Sequence, residues 1–293
     1  MTIYGAHTYN SAIYNKRKEI FKMNTKINRI YALASLGAAV LFSVMRIITA
    51  VFFTERDTGV YVRGSIFPHI WDYLLFAVVI ILILIPCIKR KSFSHRTMPT
   101  ATKATVFTSA VLGFMFLAAT LLILLIMVSQ KRFDTVDTIL AITGVFAAVY
   151  YLSGIFSRGC HAESNALLSM VPIIWTLTAL IDVYFDMSML ISSPNRAFHQ
   201  LALLAFSVFL LAETRMALFL KNTLLYAPAA AISSTLLSAT AIPNLVCPHI
   251  LSIGETDRPI IYAVELAAAL YAASKLYCFC IDGKEIKATQ ENV

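Results

Sequence analysis

Several ionisable residues stand inside stretches of this chain that are otherwise apolar: Arg46, Asp182, Glu213, Glu265 and Lys275. A charge at the centre of a bilayer costs at least ~2.5–3.5 kcal/mol on insertion scales, so such residues pair, line a wet cavity or sit near a rim. Arg46, Asp182 and Glu265 fall in the outer half of their runs, with Asp72, Asp186 and His199 nearer the rim. Glu213, Arg215 and Lys275 fall in the cytoplasmic half. The shared depth predicts an outer cluster in which Arg46 pairs with Asp182 or Glu265. Such a cluster could be a vestibule for a polar small molecule or a coupling ion. It could equally be a buried ion pair that fixes helix order.

Asp182 and Asp186 are four residues apart and share a helix face, the spacing at which two carboxylates can hold a cation or share a proton. A solvated helix end explains the same spacing. Glu213 and Arg215, two apart, point in largely opposite directions and do not bridge each other. His199 and Glu213 lie near one face, but about 21 Å apart along the axis, so they mark two ends of a path or two interface residues rather than one site. Between Pro228 and Pro243 the run carries Ser233, Ser234, Thr235, Ser238 and Thr240. Ser234 and Ser238 are candidates to line a cavity beside a broken helix, or to pack a close helix contact.

Other motifs carry less. Cys160, His161 and Glu163 in RGCHAES are metal-ligand types, but a structural zinc site needs four ligands at workable spacing. No phosphate loop, H-E-x-x-H, G-x-S-x-G or dinucleotide fingerprint occurs, so the sequence calls for no cofactor and no metal. No constellation joins a nucleophile to an acid or base, so nothing points to an enzyme.

The elements that position these residues are set by composition. Of 293 residues 59% are hydrophobic and 14% charged, against about 45–50% and about 25% in soluble domains. The apolar residues recur in runs near ~20 long, the length of a membrane-crossing helix. This predicts an all-α, polytopic integral membrane bundle with eight spans at 30–53, 70–88, 105–128, 138–157, 166–186, 197–220, 224–246 and 260–280. Ser35, Ala39, Ser43 and Arg46 share one inward face of the first span, and Glu265, Ala268, Ala272 and Lys275 form a similar stripe in the last. Residues 1–29 form a basic segment, 30–280 one transmembrane domain and 281–293 a short tail.

Lys16, Arg17, Lys18, Lys22, Lys26 and Arg29 precede the first span, and Lys89, Arg90, Lys91, Arg96 and Lys103 follow the second. By the positive-inside rule both termini are cytoplasmic, and the first span reads as a retained anchor rather than a signal peptide. Anionic headgroups beside the basic N-terminal segment account for the net charge of +8 without a nucleic acid. Cys87, Cys160, Cys278 and Cys280 fall at cytoplasmic ends, and Cys247 alone lies near the outer face.

The run YFDMSMLISSPNRAFHQLALLAFSVFLLAETRMALF, 184–219, resembles multipass membrane proteins of anaerobic Gram-positive bacteria. That group brings no established activity and no functional residue; it implies a bacterial cytoplasmic membrane. Two functions stay open. One is a transporter-like protein that binds a small polar molecule or ion in an outer cavity, with Arg46, Asp182, Asp186, His199, Glu265, Ser234 and Ser238 as binding residues. The other is a non-enzymatic partner or signalling subunit, working through its cytoplasmic face with another membrane protein or a second copy of itself.

Overall fold

A computed structural model describes residues 4–55, 59–93, 102–131, 134–156, 166–185, 193–219, 224–247 and 259–282. Runs this apolar must close their peptide hydrogen bonds internally, which a helix does within one segment. The helices are α1 (Tyr4–Phe53), α2 (Phe67–Ile88), α3 (Arg90–Phe93), α4 (Lys103–Gln130), α5 (Thr135–Phe156), α6 (Ala166–Phe185), α7 (Pro194–Phe219), α8 (Tyr226–Val246) and α9 (Pro259–Asp282). Among the described residues eight helices, all but α3, are long and apolar enough to cross a membrane, with α1 contributing Lys26–Phe53. These match the eight expected spans. The helix of α1 also runs back through the basic segment to Tyr4, which composition did not reveal.

Local chemistry sets the ends. Thr102 caps α4: its hydroxyl accepts from the Thr105 amide at 3.3 Å, and the Thr105 hydroxyl accepts from the Thr102 amide at 2.9 Å. Lys131 closes the same helix in a left-handed conformation, φ 50°. Pro194 opens α7, where its missing N–H costs nothing.

Helices α4, α5, α6, α7, α8 and α9 pack in that order into a closed ring, α9 returning to α4, while α1 and α2 cover α8 from outside. Aromatic side chains fill the ring. Phe116 of α4 meets Trp175 of α6 at 4.8 Å and Tyr151 of α5 at 5.6 Å between ring centroids. Tyr151 meets Tyr271 of α9 at 5.3 Å, and Phe209 of α7 joins Tyr271 to Tyr226 of α8. Every helix of the ring thus contributes one ring to a continuous buried layer, whose edge-to-face contacts are each worth ~0.5–1.5 kcal/mol beyond area.

Burial separates inner from peripheral helices. In α8 78% of the most apolar window is buried, against 17% in α2. Ile70, Tyr73, Ile80 and Ile88 of α2 are exposed, as expected of a face that meets lipid. The two expected small-residue stripes are buried: Ser35, Ala39, Ser43 and Arg46 on α1, and Glu265, Ala268, Ala272 and Lys275 on α9.

Between α4 and α5 the approach is close enough to require glycine. A Cβ on Gly144 would lie 2.2 Å from the Thr120 Oγ1, and one on Gly113 would lie 2.9 Å from the Leu152 Cγ. Gly144→Ala should therefore lower unfolding stability in detergent by about 1–3 kcal/mol, the usual cost of overpacking. Gly37→Ala, at an exposed helical site with nothing within 4 Å, should leave it unchanged or raise it by up to ~1 kcal/mol.

Candidate functional site

Matched contacts fix the helix directions at one end of the bundle. Arg46 near the end of α1, Asn195 at the start of α7, Asn244 near the end of α8 and Glu265 early in α9 all lie there, which is the far end from the start of the first span. This far end is the one that the charge rule places outside.

Arg46 is the hub of its cluster. Its Nη1 donates to the Tyr61 hydroxyl at 3.0 Å and its Nη2 to Asn195 Oδ1 at 3.2 Å. The guanidinium carbon lies 4.5 Å from the centroid of the Phe198 ring, a cation–π contact. Tyr61 passes the polarisation on, donating to Asp72 Oδ2 at 2.8 Å. Burial pushes the Tyr61 hydroxyl well above the ordinary tyrosine range, so it remains a donor. Asn195 Nδ2 donates to Asn244 Oδ1 at 3.0 Å, and Asn244 Nδ2 donates to the Thr240 carbonyl of its own helix at 2.8 Å. One arginine thereby ties α1 to α7 and α8, and through Tyr61 to α2. Its Nε, also buried, has no partner.

Beside this cluster the His199 Nε2 is hydrogen-bonded to Glu265 Oε1, joining α7 to α9. Tyr262 of α9 flanks the imidazole at 5.2 Å. With the carboxylate ionised, the contact is an ion pair when His199 carries both ring protons and a charge-assisted hydrogen bond when Nε2 carries the only one. Glu265 is 1% exposed, and its second oxygen, Oε2, is buried with no hydrogen-bond partner. An unsatisfied buried charged oxygen costs more than the ~1–3 kcal/mol of a neutral group.

The expected pairing of Arg46 with Asp182 or Glu265 does not occur. Arg46 is served by neutral oxygens, Glu265 by His199, and Asp182 is half-buried on α6 with no bond to either. Depth was read correctly, but depth along a helix says nothing of the direction a side chain takes around it. Asp186 lies outside the described residues, as do Cys160, His161 and Glu163. Ser234 and Ser238 are buried and turned onto their own helix: Ser234 donates to the Ala231 carbonyl at 3.0 Å, Ser238 to the Ser234 carbonyl at 2.7 Å. Their hydroxyls thus serve close packing of α8, the second of the two readings. An open groove of about 550 Å³ between α6 and α7 is lined by Leu180, Ile181, Tyr184, Leu201 and Leu204, with Gln200 its one amide. That lining suits an acyl chain better than a charged solute.

Asn195, Asn244 and Tyr61 were missed. Both asparagines follow a proline near the far end of a span, and this repeated Pro-Asn step was the available signal. Among the described residues no three His, Cys, Asp or Glu side chains converge as a metal site would need.

Asn195 serves both Arg46 and Asn244, so its loss strands two buried groups. Asn195→Ala and Asn244→Ala should each cost about 1–3 kcal/mol of unfolding stability in detergent. The double variant should cost less than the sum, because the two share one contact. Additive losses would show that the amides do not act together.

No family model, no curated protein and no solved structure matches the chain, and the resemblance of residues 184–219 finds no counterpart among them.

Proposed function

We propose that this multipass protein is transporter-like and engages an ion or a small polar molecule at the far end of the bundle, with Glu265 as its contact. The observation that carries the reading is the buried, unpartnered Oε2 of Glu265 beside a histidine. A carboxylate oxygen left without a donor in an apolar interior is relieved by a proton, a cation or the N–H of a solute. Arrival of positive charge there would weaken the hold of Glu265 on His199, and so the tie between α9 and α7. Arg46, with its own unpartnered Nε, offers a complementary contact for a solute that carries both signs.

The structural alternative is a fixed pair that only sets helix order, and ligand linkage separates the two. Anything that binds the folded chain stabilises it by RT ln(1 + [L]/Kd), about 2.7 kcal/mol at a hundred times Kd. The purified chain in detergent should unfold at higher temperature in sodium or potassium chloride than in choline chloride. Glu265→Gln should abolish the response, and His199→Gln should alter it. A wild-type midpoint indifferent to both salts, or an equal response in Glu265→Gln, would refute the reading.

A second reading, the non-enzymatic partner or signalling subunit, is favoured by α1. This is one helix from Tyr4 to Phe53, so the backbone at Lys16, Arg17, Lys18 and Lys22 continues the helix of the first span. Such an extension could present them to anionic headgroups or to another chain. Co-purification of one stoichiometric partner, lost on deleting residues 1–29, is the outcome that reading expects.

A further inference from the structure

Arg46 is 6% exposed, and among the described residues no acid bonds it directly. Its Nη1 and Nη2 each make one hydrogen bond, to the Tyr61 hydroxyl and to Asn195 Oδ1, and its Nε makes none. The carboxylate of this network, Asp72, stands one side chain away, behind Tyr61. A buried charge is ordinarily paired, so a guanidinium attended only by neutral oxygens and the Phe198 ring is short of its counter-charge. Asn195 adds to the imbalance. It lies in the first turn of α7, a helix of 26 residues, where free amide N–H groups and the helix dipole leave partial positive charge. A full and a partial positive charge thus meet across one 3.2 Å contact. Asn195 and Asn244 also exchange hydrogen bonds in both directions, at 3.0 and 3.2 Å, which holds Asn195 in place beside the guanidinium.

On the planar fork Nε and Nη2 share one edge, and Nη2 keeps a second hydrogen beside the one given to Asn195. Parallel N–H groups along one edge match the two oxygens of a carboxylate. One uncompensated positive charge suits a monoanion better than a phosphate dianion. We propose that this edge of Arg46 binds the carboxylate of a small organic anion that enters from the far end of the bundle. Tyr61 and Asp72, both half-buried, separate Arg46 from that surface. Asp72 is within electrostatic reach of Arg46, so its negative charge competes with the anion and sets how tightly the site holds it. The proposal rests on the far-end reading for its place, because it supplies the negative half of a solute that carries both signs. Its contacts leave Glu265 out, so each can fail alone.

The test holds sodium and ionic strength fixed and exchanges chloride for acetate. The purified full chain in detergent should then unfold about 2–4 °C higher. Arg46→Gln should lose that rise, whereas Glu265→Gln should keep it. Asp72→Asn removes the competing charge, so it should lower the acetate concentration that gives half the rise by about tenfold. If Arg46→Gln does not fold, Asp72→Asn decides. An Arg46 that only braces helices predicts the same acetate effect with and without it, as a general solvent action would give. An equal rise in Arg46→Gln, or an unchanged half-point in Asp72→Asn, would overturn the proposal. Stabilisation by phosphatidylglycerol in mixed micelles with no response to acetate would also overturn it, assigning Arg46 to a lipid phosphate. Loss of the sodium response with the acetate rise intact would sink the Glu265 reading alone.

Discussion

Helix α8 must be accepted by neighbours on several sides while carrying five Ser and Thr residues, and the bundle depends on how four of those hydroxyls are satisfied, Ser233 Oγ being buried without a partner. Ser234, Thr235, Ser238 and Thr240 each donate to a carbonyl three or four residues back in the same helix. A hydroxyl spent this way exposes little polarity, so α8 presents a surface of small groups to α1, α7 and α9. Close approach between helices in an apolar medium relies on such small groups, since no hydrophobic drive separates helix from lipid. Ser35 of α1 exploits the approach, its Oγ lying 3.4 Å from the Ala231 carbonyl.

With α8 as the shared wall, α7 and α9 are held at two depths by acid–base pairs and in the middle by rings. His199–Glu265 lies at one end, Lys275–Glu213 at the other, and Phe209 with Tyr271 between them. The energetic characters differ. Ring contacts add a modest, non-polar increment each. A buried pair contributes little net stability against an apolar replacement, yet removing one partner costs about 3–5 kcal/mol because a charge is stranded. The pairs therefore act as register devices: they penalise any sliding of α7 past α9 far more than they stabilise the correct position.

How much of this was legible in the sequence follows from the same physics. Hydropathy reports the solvent around a segment, so all eight spans could be located, with ends differing by a few residues. Small-residue stripes report which face packs inward, and those on α1 and α9 proved buried. Partner choice was not legible, because it depends on rotation about each axis and on the order of helices around the ring. Arg46 consequently looked like a partner for Asp182 or Glu265, yet it meets Asn195, a residue that reads in sequence as part of a turn. Glu213 and Lys275 were placed at one depth, but nothing along the chain announces that α7 and α9 face each other across α8. The helical path of the basic segment was hidden for a different reason: its polarity marks where the apolar run begins, not whether the backbone before it is helical.

The two pairs differ in a way that bears on what the interior can do. At the far end, Glu265 is sealed, with one oxygen bonded to a histidine whose charge can change and one oxygen bonded to nothing. At the terminal end, Glu213 faces a lysine and keeps some exposure, so its charge is compensated without help from a ligand. The Lys275 ammonium and the Tyr271 hydroxyl both serve Glu213 Oε1, whereas Glu265 has the imidazole on one oxygen and no donor on the other. An unsatisfied buried oxygen is a cost that the far tie carries. That asymmetry, rather than the presence of buried charge as such, is what distinguishes this interior from one that is merely stapled.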